Sequence, residues 1–383
     1  MALLEEGFVG VHIGAGQHSV ARTQVYLDIC AKACRVGVEI LRKGGSALEA
    51  ACAATTVLED AQETNAGLGS NLTESGSVEM DAGVMEGESC LFGAVGAIPG
   101  VKNPILVAKL LVQEQRDGLL PLGRVPPSFL VGEGARDWAV KKGIPSVLQE
   151  TLISEKALQL YKYYKTKLDQ FRLSVKRKSS ANCLPNKKHK LDDQVGDTVG
   201  VVVLDNTGQV ASTVSSGGIA LKQPGRVGQA SCYGCGCWAQ GLLGSSGKVS
   251  VAISTTGCGE HLVRTFLARE CAHALGEEAT AVTALTKAMT EKFRDSPFLK
   301  CVREKLGGAI CMRFDAKTGL GDFLWTHTTA SMGIAYQKTS DDVATTRMSR
   351  LPSSNGGVSH PNGTTIFVEG TPFSLPSRTE SHS

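Results

Sequence analysis

Gly196-Asp197-Thr198-Val199-Gly200-Val201-Val202-Val203-Leu204, then Asp205-Asn206-Thr207-Gly208, then Gln209-Val210-Ala211-Ser212-Thr213-Val214, reads as a β-hairpin: a dense β-branched run, a four-residue turn and a second strand. A strand therefore opens at Thr198. On pattern alone Thr198 is an ordinary strand-start residue, because β-branched side chains are common there. The segment before it makes the abrupt return of order informative. From about Gly143 the pattern weakens to one amphipathic stretch near Leu152 to Phe171. Basic and polar clusters follow, Lys176-Arg177-Lys178, Ser179-Ser180-Ala181-Asn182 and Lys187-Lys188-His189-Lys190. Such composition cannot bury a core, which predicts an exposed, partly disordered linker over about 172–197.

Working outward, Phe8 to Ile13 reads as a buried strand ending in Gly14-Ala15-Gly16. Ile29, Ala33, Val36, Ile40 and Leu41 recur at helical spacing, Gly44-Gly45 stops that helix, and Ser46 with Glu49 forms a capping box for a second helix through Glu59. Further strands are predicted at Val249 to Ser254, Gly308 to Phe314 and Phe323 to Thr328. Helices are predicted at His261 to Leu275 and Ala279 to Phe293. Helices and strands in blocks suggest a layered α/β sandwich with mostly antiparallel sheets. The tail after Ser340 reads as loose apart from Thr365 to Val368.

The chain has 383 residues, 42% of them apolar, with 44 glycines and few aromatics, which favours a turn-rich α/β protein over a helical bundle. The net charge is only +3, yet Arg172 to Lys190 holds seven Lys or Arg and no acid, so the rest is mildly acidic. One local basic segment does not make a nucleic-acid-binding face. No apolar run is long enough to span a bilayer, and the N-terminal segment lacks the basic and apolar parts of a secretory signal. Together these predict no membrane or nucleic-acid partner and reduced thiols for the twelve cysteines. Cys232, Cys235 and Cys237 lack the paired spacing of a zinc site and read as structural thiols, so neither metal nor cofactor is expected. The two basic clusters resemble a bipartite nuclear import signal, with a solvated linker as the equal alternative on composition.

Three later segments change the reading of Thr198: Val214-Ser215-Ser216-Gly217-Gly218, Lys222-Gln223-Pro224-Gly225-Arg226-Val227-Gly228-Gln229, and Ser254-Thr255-Thr256-Gly257-Cys258-Gly259-Glu260. With Val11-His12-Ile13-Gly14-Ala15-Gly16 and Asn65-Ala66-Gly67-Leu68-Gly69-Ser70, they resemble the type 2 asparaginase family of N-terminal-nucleophile (Ntn) hydrolases over most of Phe8 to Tyr336. Tyr233-Gly234-Cys235-Gly236-Cys237-Trp238 and the basic linker resemble its threonine aspartase branch. The resemblance implies a four-layer αββα sandwich made as a proenzyme. Residues 1–197 form its α part and residues 198–383 its β part, and autocleavage between Asp197 and Thr198 leads to a homodimer of processed protomers.

The resemblance also implies the roles. Thr198 is the nucleophile, Ser216 orients it, and the Thr256 hydroxyl with the Gly257 N–H forms an oxyanion hole. Arg226 holds a substrate carboxylate beside Gly228 and Gln229, with Gly14 and Asn65 as lesser candidates. Small-substrate relatives resemble one another in carrying Asp where this chain has Gln229, which favours an endopeptidase whose substrates carry an internal Asp at the cut. Nuclear regulatory proteins, such as mixed-lineage leukaemia-type histone methyltransferases, are the substrates so implied. The expected location is the nucleus with some cytoplasm, with an import receptor as partner. The alternatives are an asparaginase or isoaspartyl dipeptidase acting on small substrates, and an unprocessed binding protein of the same fold.

Overall fold

Strands buried on both faces read as near-continuous apolar runs, and the first arm of the hairpin fits that reading, whereas the second carries the small hydroxyl side chains Ser212, Thr213, Ser215 and Ser216 beside its apolar residues. In the computed structural model, which describes residue 4 and residues 6–179, 198–241, 249–278, 280–351 and 363–376, the first arm runs Val199–Leu204 and the second Val210–Ser216, in the register Val199↔Ser215 to Leu204↔Val210. Every residue of both arms is buried. Period-two alternation sends Val199, Val201 and Val203 into one apolar layer and Val202 and Leu204 into another.

In chain order the elements are β1 (Phe8–Gly16), α1 (Thr23–Arg42), α2 (Ala47–Glu59), β2 (Met80–Glu86), β3 (Phe92–Ile98), α3 (Pro104–Arg116), β4 (Phe129–Val131), α4 (Gly132–Lys141), α5 (Glu155–Ser179), β5 (Val199–Leu204), β6 (Val210–Ser216), β7 (Cys237–Gln240), β8 (Ser250–Gly257), α6 (Gly259–Thr265), α7 (Leu267–Glu277), α8 (Ala281–Lys287), β9 (Gly307–Asp315), β10 (Leu320–His327), β11 (Ser331–Lys338), β12 (Thr345–Arg350) and β13 (Phe367–Ser374). One sheet has the order β12-β11-β1-β5-β6-β2-β3-β4, the other β13-β10-β9-β8-β7. Of these pairings only β3 with β4 is parallel.

Three apolar layers separate four structural ones. Helices α1, α2 and α3 cover the outer face of the larger sheet. Phe8, Val202, Leu204, Ile310, Phe314, Phe323 and Trp325 fill the space between the sheets. Helices α7 and α8 close the outer face of the smaller sheet through Leu267, Leu275, Leu285 and neighbours. This is an αββα sandwich, as expected. Gly200 lets the sheets meet closely behind the hairpin, because a Cβ there would collide with the Ser254 hydroxyl of β8.

The capping box is present: the Glu49 N–H donates to Ser46 Oγ and the Ser46 N–H to Glu49 Oε2, at 3.3 and 2.9 Å. Four expectations need correction. The linker does not begin at 172, because α5 continues to Ser179 and carries Lys176-Arg177-Lys178. The composition argument excludes a buried core but not a helix: Lys, Leu, Gln and Arg are good helix formers, and Arg172 and Lys165 pair with Glu74 at 2.7 and 3.7 Å. Residues 180–197, with the second basic cluster and Asp197, lie outside the described residues. The helix expected over His261 to Leu275 is broken at Phe266, whose φ of 47° starts a new helix. The one expected over Ala279 to Phe293 passes from α8 into a π-helical turn, Ala288–Arg294. Finally, the described parts of the tail include two strands where a loose chain was expected: β12 and β13 each extend a sheet.

Candidate active site

Three neighbouring segments converge on Thr198 because β5 lies at the centre of the larger sheet. The β1–β5 ladder ends at the pair His12↔Gly200, so Gly14 and Thr198 each lie two residues beyond it. Gly14 has φ 109°, a conformation L side chains rarely adopt, and it turns β1 away from the ladder there. Next along, Ala15 donates its N–H to Thr256 Oγ1 at 3.0 Å, which joins the end of β1 to the end of β8. Because a hydroxyl can accept while still donating, that bond leaves the Thr256 proton available to a second acceptor.

Thr198 itself is buried. Its Oγ1 lies 3.1 Å from Ser216 Oγ, and the Gln229 amide donates to it at 3.3 Å. Ser216 Oγ accepts the Gly218 N–H at 3.0 Å, so its own proton is free to point at Thr198. Asn65 supports the same turn from outside. Its Oδ1 accepts the Asn71 N–H, while its amide and that of Asn71 both donate to the Gly218 carbonyl, at 2.7 and 2.8 Å. Gly257, at φ 135°, ends β8 where a Cβ would sit 2.6 Å from the Leu306 carbonyl oxygen. The strand end can bend there only without a side chain.

Arg226 reaches the site from the loop before Gln229. Its Nε and Nη2 donate to Glu260 Oε1 at 3.0 and 2.8 Å, and Nη2 also reaches Oε2 at 2.9 Å. Behind it lies a buried charged pair. Asp81 accepts the N–H groups of Ala97 and Gly228 at 2.8 and 2.7 Å, and Lys222 donates to the carbonyls of Glu79 and Gly217. Burial pulls the Lys222 ammonium down to about 8 against the charge of Asp81, and burial raises the Asp81 carboxyl against Lys222.

Sequence reasoning gave no role to His12, Asp81, Lys222, Asn71 or Glu260. Ser254 Oγ donates to the Thr213 carbonyl at 2.7 Å and so must accept from His12 Nε2 at 3.0 Å, while His12 Nδ1 accepts from the Gly14 N–H at 3.2 Å. The ring is therefore neutral. Burial lowers its pKa to about 3, with the Thr198 backbone pulling the other way. The available signal was a charged or imidazole side chain inside an otherwise apolar strand, as in Val11-His12-Ile13 and Met80-Asp81-Ala82.

Cys235 and Cys237 are buried and Cys232 is partly so; all described cysteines are free thiols. Burial pushes Cys235 up to about 12. Among the described residues no group of three or more His, Cys, Asp or Glu is placed to hold a metal ion.

A family profile described as asparaginase, type 2, matches residues 6–346. The chain belongs to the type 2 asparaginase family. It is therefore a hydrolase of the Ntn class. Among curated relatives, the isoaspartyl peptidase/L-asparaginase of Rattus norvegicus is 34% identical over 89% of this chain and 90% of its own length. That of Mus musculus is 35% identical over 88% and 91%. The isoaspartyl peptidase of Escherichia coli (strain K12) is 32% identical over 69% of this chain and 75% of its own length.

Proposed function

We propose that this asparaginase-family chain is a self-processing threonine endopeptidase that cuts proteins after aspartate. The observation that carries the reading is the contact of the Gln229 amide with Thr198 Oγ1. Gln229 is buried beside the nucleophile, where a small amino-acid substrate would need a carboxylate to hold its ammonium, and glutamine has no charge to offer. A substrate whose nitrogen already lies in a peptide bond needs no such partner.

In processing, Thr198 Oγ attacks the Asp197 carbonyl carbon, the Asp197–Thr198 C–N bond breaks, and the resulting ester is hydrolysed by water. The step creates the free α-amine of Thr198, whose reference pKa of about 7.7–8.0 suits it to take the hydroxyl proton. In turnover, Oγ attacks the carbonyl of the substrate aspartate and the amine passes the proton to the departing nitrogen. Water then releases the acyl group. Ser216 steers the hydroxyl, and the Thr256 hydroxyl and Gly257 N–H stabilise the developing oxyanion. Removing one such donor typically costs about 2.7–4 kcal/mol. Arg226, with Gly228 and Gln229, grips the substrate carboxylate. Lys176-Arg177-Lys178 on α5, with the second basic cluster, would serve nuclear import, and a dimer of processed protomers is the proposed assembly.

A second reading, an isoaspartyl peptidase or asparaginase acting on small substrates, is favoured by the names of the relatives. Purified protein, with processing at 197/198 checked by intact mass, is incubated with an internal Asp-Gly peptide, a β-aspartyl dipeptide and free asparagine. Cleavage of the internal peptide alone supports the endopeptidase. Turnover of only the small substrates moves the function to the second reading.

A further inference from the structure

We infer that Glu260 is a positioning residue that clamps one edge of the Arg226 guanidinium and so presents the other to the substrate carboxylate; the inference rests on Arg226 being the carboxylate-binding residue. The clamp is two-pronged: Glu260 takes Nε and Nη2 with three contacts of 2.8–3.0 Å. Nη1 points elsewhere, into a wall of glycines. A Cβ on Gly218 would come within 2.8 Å of Nη1 and one on Gly228 within 2.9 Å, while a Cβ on Gly259 would come within 2.8 Å of Nη2.

Those glycines locate the free edge. Gly218 gives its N–H to Ser216, and Gly228 directly precedes Gln229; Ser216 and Gln229 are the two residues that touch Thr198 Oγ1. The Nη1 edge is thus turned toward the segments that hold the nucleophile, whereas Glu260 approaches from the more open side. The Glu260 side chain is 48% exposed and that of Arg226 only 13%. A guanidinium presents its donors in a fixed plane, so fixing one edge fixes the other. An unclamped arginine would have to give up rotamer freedom on each binding event. The negative charge also lowers the cost of keeping a mostly buried guanidinium in the empty site. Glu260 stays ionised: burial opposes its charge, but Arg226 outweighs it and holds the carboxyl below its usual range.

A carboxylate on the substrate's arginine could instead act as a plug that substrate must displace, and the two arrangements predict opposite signs. The test compares processed wild type, Glu260→Gln and Glu260→Asp on one peptide with an internal Asp. If Glu260 is a clamp, Glu260→Gln raises KM by about tenfold with kcat within about threefold, and Glu260→Asp lies closer to wild type. In an Arg226→Ala background, Glu260→Gln changes KM no further, since the clamp has nothing left to hold. A fall in KM identifies a plug and overturns the proposal. So does an unchanged KM, a kcat that falls at constant KM, or failure of both variants to fold or process, which would assign Glu260 to the frame of the site. If wild type hydrolyses only a β-aspartyl dipeptide, the endopeptidase reading fails on its own. The same KM comparison is then made with that dipeptide.

Discussion

At the residue scale, the site depends on one hydroxyl with two partners. Under the proposed mechanism, Thr198→Ala removes the atom that would attack Asp197 and leaves Ser216 and Gln229 facing a methyl group. The expected product is a folded single chain of full intact mass with no turnover. Normal cutting of that variant, in protein free of other proteases, would rule out self-cleavage. A second prediction concerns Glu59, fully buried behind β6, where Oε1 accepts from Ser215 Oγ at 2.7 Å and from the Ile105 N–H at 3.1 Å. Burial raises its pKa from 4.5 to about 8 against those two bonds. The folded state therefore holds more protons than the unfolded chain between pH 4.5 and 8, and stability falls as pH rises through that window. Glu59→Gln should match wild type near the lower limit and exceed it near the upper by on the order of 3 kcal/mol in urea unfolding. Parallel curves for the two proteins would refute the assignment. Glu59 shows why part of the site was illegible in the sequence. Ser216, Gly257 and Arg226 sit in recognisable local segments. The surroundings of Glu59, Asp81 and Lys222 arise only when distant strands and helices pack, so no spacing along the chain announces them.

At the element scale, helices whose ends carry their own chemistry were readable and those stabilised by distant partners were not. Helix α2 begins where Ser46 and Glu49 cap it. Ser46→Ala should cost about 1 kcal/mol, measured by urea unfolding, and no loss would mean that packing alone sets the helix start. Helix α5 shows the opposite case. Its basic face is held by Glu74, which takes Arg172 at 2.7 Å and also accepts the Gln223 amide at 3.0 Å from the loop that carries Arg226. Glu74 thereby joins the helix that precedes the proposed cleavage site to the loop that carries Arg226. Glu74→Ala should increase hydrogen exchange in the last two turns of α5 and in residues 222–226, while α1 is unchanged. Equal protection in both proteins would show that Tyr164 and its apolar neighbours hold the helix unaided. Strands β2 and β3 escaped the sequence reading for another reason. Glycines and a buried Asp interrupt their apolar runs, so neither period nor β-branching stands out in Met80–Glu86 or Phe92–Ile98.

At the scale of the whole molecule, the tail decides whether the smaller sheet has a protected edge. Polar, glycine-rich composition after Ser340 suggests a chain without a core, yet eight residues of β13 pair with β10 from Leu320↔Ser374 to His327↔Phe367. Phe373 enters the inter-sheet layer, its ring centroid 4.3 Å from Phe8 and 6.2 Å from Phe314. Leu375 is buried beyond it, and its N–H donates to the Gly319 carbonyl at 2.8 Å. Two buried side chains carry what the local composition does not signal. Burying each is worth about 1.5–3 kcal/mol, a large share of the stability of an ordinary domain. Ending the chain at Leu351 should therefore lower the melting temperature by several degrees or more. It should also promote aggregation, because β10 becomes an open edge beside an uncovered aromatic cluster. Activity should follow stability, since β10 supports β9, β9 supports β8, and β8 ends in Thr256 and Gly257. Phe373→Ala separates packing from pairing: it keeps the ladder, so it should lower the melting temperature with little new aggregation. A chain ending at Leu351 that melts and turns over like the full-length protein would show that β13 only decorates the sheet, and that the inter-sheet core is complete without Phe373.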